Sequence, residues 1–342
     1  MAVDSSLVDW MLDSDPALRW QVERDLVGVP QEVWSATRAR VATEGFGARL
    51  LAVQDPDGQW AGGAYFPAAV AGQDPGTSED KGQPWTATTW TLNALREWGL
   101  DAAVLTDTGD RLAANSRWEY DDLPYWGGEV DCCINGYTLA NGAWLGVDVS
   151  ELATWFVDHQ LADGGWNCEW VEGSTRSSFH STLNSLRGLL SYETTTGGSD
   201  ALRTARKAGE TYLLERRLLY HLSTGELVGP WATRLIYPFR WVYSAVNALD
   251  YFRAAALHDE TDRTRGCPRR STWCGPPARA TAPGCNRVIT PGGRGSRSMR
   301  LPVSRPSGSP SMAPGSSPGG TGPRGVRRGW SASSRGSDRP RG

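Results

Sequence analysis

The 342-residue chain has no stretch that reaches the ~18 consecutive apolar residues of a membrane span. Its opening, MAVDSSLVDWML, has no basic segment ahead of a long apolar run, which argues against a secretory signal peptide. A cytoplasmic protein with no transmembrane segment is the expectation. The six cysteines (Cys132, Cys133, Cys168, Cys267, Cys274 and Cys285) contain no C-x-x-C pair and no regular spacing, so neither a zinc ribbon nor a disulfide scaffold is indicated. Alternation of Val, Ile and Thr with period two is missing, which removes β architectures. Lysine is almost absent: Lys81 and Lys207 are the only two among 35 basic residues.

Tryptophan, by contrast, is abundant, with 17 residues. It is rigid, flat and partly polar, and an excess suits packed repeats or an aromatic-lined cavity. Charge is also unevenly placed. From Arg263 onward there are 16 Arg and one acid, Asp338, while the first 262 residues carry a net charge of −18. The body is acidic and has no nucleic-acid footprint.

One phrase occurs twice. Gln54-Asp-Pro-Asp-Gly58-Gln-Trp60 and Gln160-Leu-Ala-Asp-Gly164-Gly-Trp166 share the spacing Q-x2-D-G-x-W, 106 residues apart. Each precedes a similar helix-like segment: Thr91-Leu92-Asn93-Ala94-Leu95-Arg96 after the first, Thr182-Leu183-Asn184-Ser185-Leu186-Arg187 after the second. Two matches in one order mean a duplicated unit. Weaker echoes start at Thr138 and Ala245, so the registering positions are spaced by 47, 44 and 63 residues. The pattern predicts an all-α fold of helical hairpins about 45 residues long, with insertions.

Asp15-Pro16 reads as a helix N-cap followed by proline at the first helical position. Further helices are expected over 31–53, 85–100, 131–145, 150–160, 177–192, 200–217 and 241–256. Residues 61–84 read as a long loop, and the Asp121 to Gly128 stretch as a turn.

The character changes near residue 260. Beyond it aliphatic and aromatic residues are too few to offset the entropy of ordering, so 259–342 reads as a disordered, basic Arg/Pro/Gly/Ser tail. A frameshift explains the composition better. Reading the third base of each codon as the first of the next turns Trp273-Cys274 into an unambiguous Val. It makes Ala280 to Cys285 compatible with Asp-Gly-Thr-Trp-Leu, a third copy of D-G-x-W. The nucleotide sequence over codons 258 to 300 decides this.

A helix ending in aliphatic or aromatic residues, then Gln, a short spacer and Gly-x-Trp, resembles the repeat of squalene and oxidosqualene cyclases. Gln54, Gly58 and Trp60, and Gln160, Gly164 and Trp166, carry the resemblance, which covers roughly residues 40–256. It implies an (α/α) toroid, a fold shared with protein prenyltransferase β-subunits, occupying 1–258 as an incomplete ring whose last hairpin is missing. Inner helices of such a ring surround a cavity for an isoprenoid chain, and the Gln and Trp of each repeat tie outer turns together. That role is structural.

Cyclases of this kind protonate an alkene with a D-x-D-D acid; here the equivalent place holds only Asp131, the candidate catalytic acid. No D-x-D-D or D-D-x-x-D motif is present. Prenyltransferases bind zinc through D-x-C and a His at the start of another inner helix. Asp131-x-Cys133 has that spacing, and His180 opens the inner helix after the second repeat phrase, so Asp131, Cys133 and His180 form the candidate zinc set. Cys132 is expected to point away from Cys133, because adjacent helical residues diverge by ~100°. Trp126 and Arg176 are candidate substrate-binding residues, Arg176 for an anionic group. Two functions remain open: a cyclase-like or zinc-dependent transferase acting on an isoprenoid or other hydrophobic substrate, and a non-catalytic toroid, or non-functional truncated product, that at most binds a hydrophobic ligand or a protein partner.

Overall fold

The computed structural model describes residues 4–69, 84–119 and 121–265. Its α-helices are α1 (Ser5–Leu12), α2 (Pro16–Val22), α3 (Gln31–Ala39), α4 (Gly45–Leu51), α5 (Thr88–Glu97), α6 (Thr108–Asn115), α7 (Cys132–Leu145), α8 (Ser150–Asp158), α9 (Phe179–Thr196), α10 (Asp200–Glu215) and α11 (Ala245–Arg265). No strand forms among the described residues; pairing is limited to isolated bridges such as Gln54 with Trp60. The expected all-α class is what is seen. No helix among these residues is long and apolar enough to cross a membrane.

Asp15 caps α2 as its sequence predicts, accepting from the Ala17 N–H at 2.9 Å with Pro16 first in the helix. Its other oxygen accepts from the Phe46 N–H at 2.8 Å, in the first turn of α4. One carboxylate therefore starts two helices, and the single helix expected over 31–53 divides. Gly45 makes the break possible: it takes φ +65°, and a Cβ there would lie 2.0 Å from the Asp15 carboxylate. The short α6 was not foreseen: Thr108–Asn115 is only eight residues long and buries only Thr108, Gly109 and Leu112.

The helices after α4 pair as the repeat implies. α7 with α8, and α9 with α10, form antiparallel hairpins, α7 and α9 each ending in a left-handed glycine, Gly146 and Gly197. α5, α7, α9 and α11 run parallel, side by side. Trp90 meets Tyr137 and Arg96 meets Asn141 between α5 and α7. Cys133 meets Ser181 and Tyr137 meets Asn184 between α7 and α9. Phe179 meets Tyr243 just ahead of α11, and Thr194 meets His258 within it. The registering positions 91, 138, 182 and 245 fall one on each of these four helices.

α7 is the most enclosed element: every residue from 134 to 143 is buried. Its contact with α9 depends on glycine. A Cβ on Gly136 would lie 2.5 Å from the Asn184 carbonyl oxygen, and one on Gly188 2.5 Å from that of Gly136. α11 is held by charge as well as packing. Arg206 of α10 is fully buried and meets Glu193 of α9 at 3.0 Å, Glu210 at 2.6 Å and Asp259 of α11 at 2.6 Å. Three carboxylates satisfy a guanidinium that could not otherwise leave water. The expected domain boundary after 258 thus falls inside α11, and Asp259 belongs to the helical body. The expected tail from 266 onward, with its frameshift reading, and residues 70–83 of the expected loop lie outside the described residues.

Candidate functional site

The two repeat phrases fold into the same turn. In each, a backbone N–H one residue after Gln donates to the carbonyl one residue before Trp: Asp55 to Gln59 at 2.8 Å, Leu161 to Gly165 at 2.9 Å. The central glycines take φ +91° at Gly58 and +90° at Gly164, the left-handed region that favours glycine. Gln54 Nε2 donates to the Gly58 carbonyl (3.1 Å) and to Thr108 Oγ1 at the start of α6 (3.0 Å). Gln160 Nε2 donates to the Gly164 carbonyl (2.7 Å) and to the Ala205 carbonyl in α10 (2.7 Å). The indole N–H groups of Trp60 and Trp166 donate backwards, to the carbonyls of Leu50 (2.7 Å) and Phe156 (2.9 Å). Those carbonyls lie in the last turns of α4 and α8, where helical partners run out.

The Trp backbone N–H groups fix where the next helix begins. Trp60 donates to Thr88 Oγ1 at 3.0 Å and Trp166 to Thr182 Oγ1 at 3.1 Å. Sequence matching aligns Thr91 with Thr182; the hydrogen bonds pair Thr88 with it instead. The difference of three residues is close to one helical turn, so the apolar face is nearly preserved and sequence pattern cannot separate the registers.

Trp126 belongs to this scaffold. It is buried, packs edge-on against Tyr125, and its indole N–H donates to the Gly109 carbonyl of α6 at 2.9 Å. Expected as a substrate-binding residue, it is not among the residues lining the cavity described below.

Among the described residues, the thiols gather on the second turn. Cys132 and Cys133 open α7, and Cys168 opens a 3-10 turn (Cys168–Glu172) two residues after Trp166. Cys168 Sγ lies 3.5 Å from Cys132 Sγ and 3.3 Å from Cys133 Sγ. All three are free cysteines whose sulfurs lie within 4.8 Å of one another, and they could hold a metal ion. The expected divergence of Cys132 from Cys133 does not keep them apart, because Cys168 sits between their two directions. Ser181 of α9 braces the group: its Oγ accepts from the Cys168 N–H at 3.2 Å and lies 3.7 Å from Cys133 Sγ. Asn184 Nδ2 donates to Cys133 Sγ at 3.6 Å.

These contacts divide the thiols electrostatically. Hydrogen bonds from Cys132 and Cys168 hold Cys133 well below the usual thiol range despite its burial. Burial pushes Cys132 up. At Cys168 the contact with Cys132 acts downward, but that with Cys133 and burial outweigh it, leaving the thiol at about 11. The cluster therefore favours one thiolate, on Cys133.

The expected zinc set is redistributed. Among the described residues, the one group of three His, Cys, Asp or Glu ligands within mutual reach is Cys132, Cys133 and Cys168, and it takes in neither Asp131 nor His180. Asp131 is the half-buried residue just ahead of α7. Burial first, and then the neighbouring Cys168 and Glu129, push its carboxyl up to about 8. His180 faces rings instead, with centroids 4.4 Å from Trp231 and 5.6 Å from Trp241; burial lowers its pKa.

His180 nevertheless lines a cavity of about 920 Å³. Phe179, Tyr212 and Trp231 supply aromatic wall, and Arg176, Arg216 and His221 supply basic groups. Arg176 is exposed at this cavity, as an anion-binding residue would need to be. Arg216 stacks over the Tyr212 ring at 3.7 Å. A second aromatic group, Trp85, Trp90 and Tyr137, packs upon itself beneath Arg240, whose guanidinium lies 3.6 Å from the Trp85 ring.

No family model, curated protein or solved structure matches the chain. Sequence reasoning missed Arg216 as a site residue; it saw that Cys168 could join such a cluster but favoured a structural part for it beside the turn. For Cys168 a signal existed: it sits two positions after Trp166, where the first copy has Gly62.

Proposed function

We propose that this chain is a repeat protein of the (α/α) toroid type that acts on an isoprenoid-like substrate, with a zinc ion held by Cys132, Cys133 and Cys168 in place of the Asp131, Cys133 and His180 set. The observation that carries the reading is the meeting of three thiols where α7 begins, against Ser181, which follows the cavity residue His180 on α9. Three sulfurs suit a borderline-soft cation, and three protein ligands leave a fourth position open, as catalytic zinc sites do. When bound, zinc would supply a lowered pKa for a substrate thiol. The chain's own residues do the rest. Phe179, Tyr212 and Trp231 take the apolar part of the substrate, and Arg176 and Arg216 take an anionic end. Ser181 and Asn184 orient the thiols. Asp131 is assigned no metal-binding part.

A second reading, a non-catalytic ligand-binding toroid, is favoured by one observation: Trp85, Trp90 and Tyr137 pack against each other under Arg240 and fill that space with side chains.

Zinc stoichiometry on the purified chain separates the two. The transferase reading expects about one zinc per chain, lost in Cys133→Ser. A metal-free protein that still quenches its tryptophan fluorescence on adding a prenyl diphosphate leaves only the binding reading.

A further inference from the structure

We propose that Cys133 and Cys168 form a reversible disulfide by exchange with small-molecule disulfides, making the second repeat turn a thiol–disulfide site. The inference stands on sulfur geometry and on the placement of Cys168 in a turn with no buried residue, and does not require the metal.

Three pairings are conceivable within the cluster. Cys132 with Cys133 would close a strained ring between adjacent residues of one helix. Cys132 with Cys168 has sulfurs 3.5 Å apart, and Cys132 is only 1 % exposed. Cys133 and Cys168 are closer, at 3.3 Å, and Cys168 is the less buried partner, on a turn where a reagent can reach it. Forming the bond requires the sulfurs to approach by roughly 1.3 Å, to the ~2.05 Å of a disulfide.

The two partners differ in how far they can move. Cys133 is in the first turn of α7, the most enclosed helix. Cys168 begins a 3-10 turn with no buried residue, ending at Gly173 with φ +86°. The turn is the element with little packing to lose, so it supplies the displacement. Ser181 already contacts both sulfurs, at 3.7 Å from Cys133 and 3.4 Å from Cys168, and keeps them on one side of α9.

The chemistry balances with a disulfide as oxidant. Cys168 loses its proton and attacks one sulfur of R–S–S–R, forming a mixed disulfide and expelling RS⁻. Cys133 then loses its proton and attacks the Cys168 sulfur, expelling the second RS⁻. Two protein thiols and one small disulfide become one protein disulfide and two small thiols. The oxidised cluster retains one thiol, that of Cys132, so it no longer offers three thiolates to a cation. Where the zinc reading also holds, oxidation releases the metal.

The test uses the full chain, stripped of metal with EDTA and equilibrated in glutathione buffers of graded redox ratio. Free thiols are alkylated, and proteolytic peptides are mapped by mass spectrometry with backbone fragmentation between residues 132 and 133. The expected product is a Cys133–Cys168 linked peptide that dithiothreitol reverses. Cys133→Ser is expected to accumulate a glutathione adduct on Cys168, and Cys132→Ser to keep the link. A wild-type chain that accumulates glutathione adducts without the link overturns the proposal, as does a link from Cys132. Because the wild-type map alone decides, a variant that fails to fold does not rescue it. Zinc titration of reduced samples is read separately: a linked peptide in a protein that never binds zinc retains this inference and removes the transferase reading, and the converse result does the opposite.

Discussion

The turn at 54–60 and the turn at 160–166 make the same bonds with different consequences. In both, Gln reaches across to a later helix, α6 or α10, Gly takes a left-handed φ, and Trp returns its indole N–H to the helix before. They part immediately after Trp. The first continues through Ala61-Gly62-Gly63 and reaches its threonine tie 28 residues on; the second continues through Asn167-Cys168 and reaches it 16 residues on. When Thr88 and Thr182 are matched, Ala87 stands where Ser181 does, and Thr86 where His180 does. The comparison separates scaffold from chemistry. The repeat supplies a rigid turn twice, and one copy carries the thiols and the cavity residue.

If the turns are equivalent scaffolds, removing either tryptophan should cost the same. Trp60→Ala and Trp166→Ala each delete a side chain that is 1 % exposed, together with its hydrogen bond; both are expected to lose about 3–5 kcal/mol in urea unfolding. A difference beyond about 2 kcal/mol between them would break the equivalence. The next test separates chemistry from scaffold. Cys168→Ser is expected to weaken zinc binding at least about 100-fold, close to 2.7 kcal/mol, whereas Gly62→Ala at the matching position leaves zinc affinity unchanged. Equal loss in the two variants would mean that turn integrity, not the thiol, governs metal binding.

Smaller effects sharpen the comparison. Gln54→Ala and Gln160→Ala each remove a two-bond tie, and about 1–2 kcal/mol of stability is expected to go with it. Gln160 is expected at the upper end, because both of its bonds are 2.7 Å while those of Gln54 are 3.1 and 3.0 Å. At the central glycines, substitution by alanine strains a left-handed backbone by about 1 kcal/mol. Gly58→Ala should cost slightly more than Gly164→Ala. Its new Cβ would lie 2.7 Å from Arg111 Cβ, whereas at Gly164 the nearest atom is the Ala208 carbonyl oxygen at 3.0 Å. Thermal melting of the pair checks the order.

Helix type and the existence of a repeat were legible from local signals. The Asp15-Pro16 cap, the glycine stops and the spacing of aliphatic residues are properties of a few neighbouring residues, and local hydrogen bonds obey them. Two refinements were not. The division between α3 and α4 depends on Asp15 reaching an amide 31 residues away. The three-residue register difference at Thr88 leaves the apolar pattern almost unchanged. Helix α11 ran past its expected end because Asp259 pairs with Arg206, a partner that a sequence reading places on a different helix.

The candidate site shows the same division. Sequence alone determined that Gln, Gly and Trp mark scaffold, since their spacing repeats and backbone geometry gives each of them a task. It also placed Cys133 and His180 at the starts of two parallel helices. Which groups meet was decided by tertiary packing. Glycine contacts set α7 against α9, and that approach brings Cys133 to Ser181 and, through Ser181, to Cys168. Side-chain direction at a helix start depends on what lies alongside, so a third sulfur between Cys132 and Cys133 draws together residues that helical geometry alone would separate.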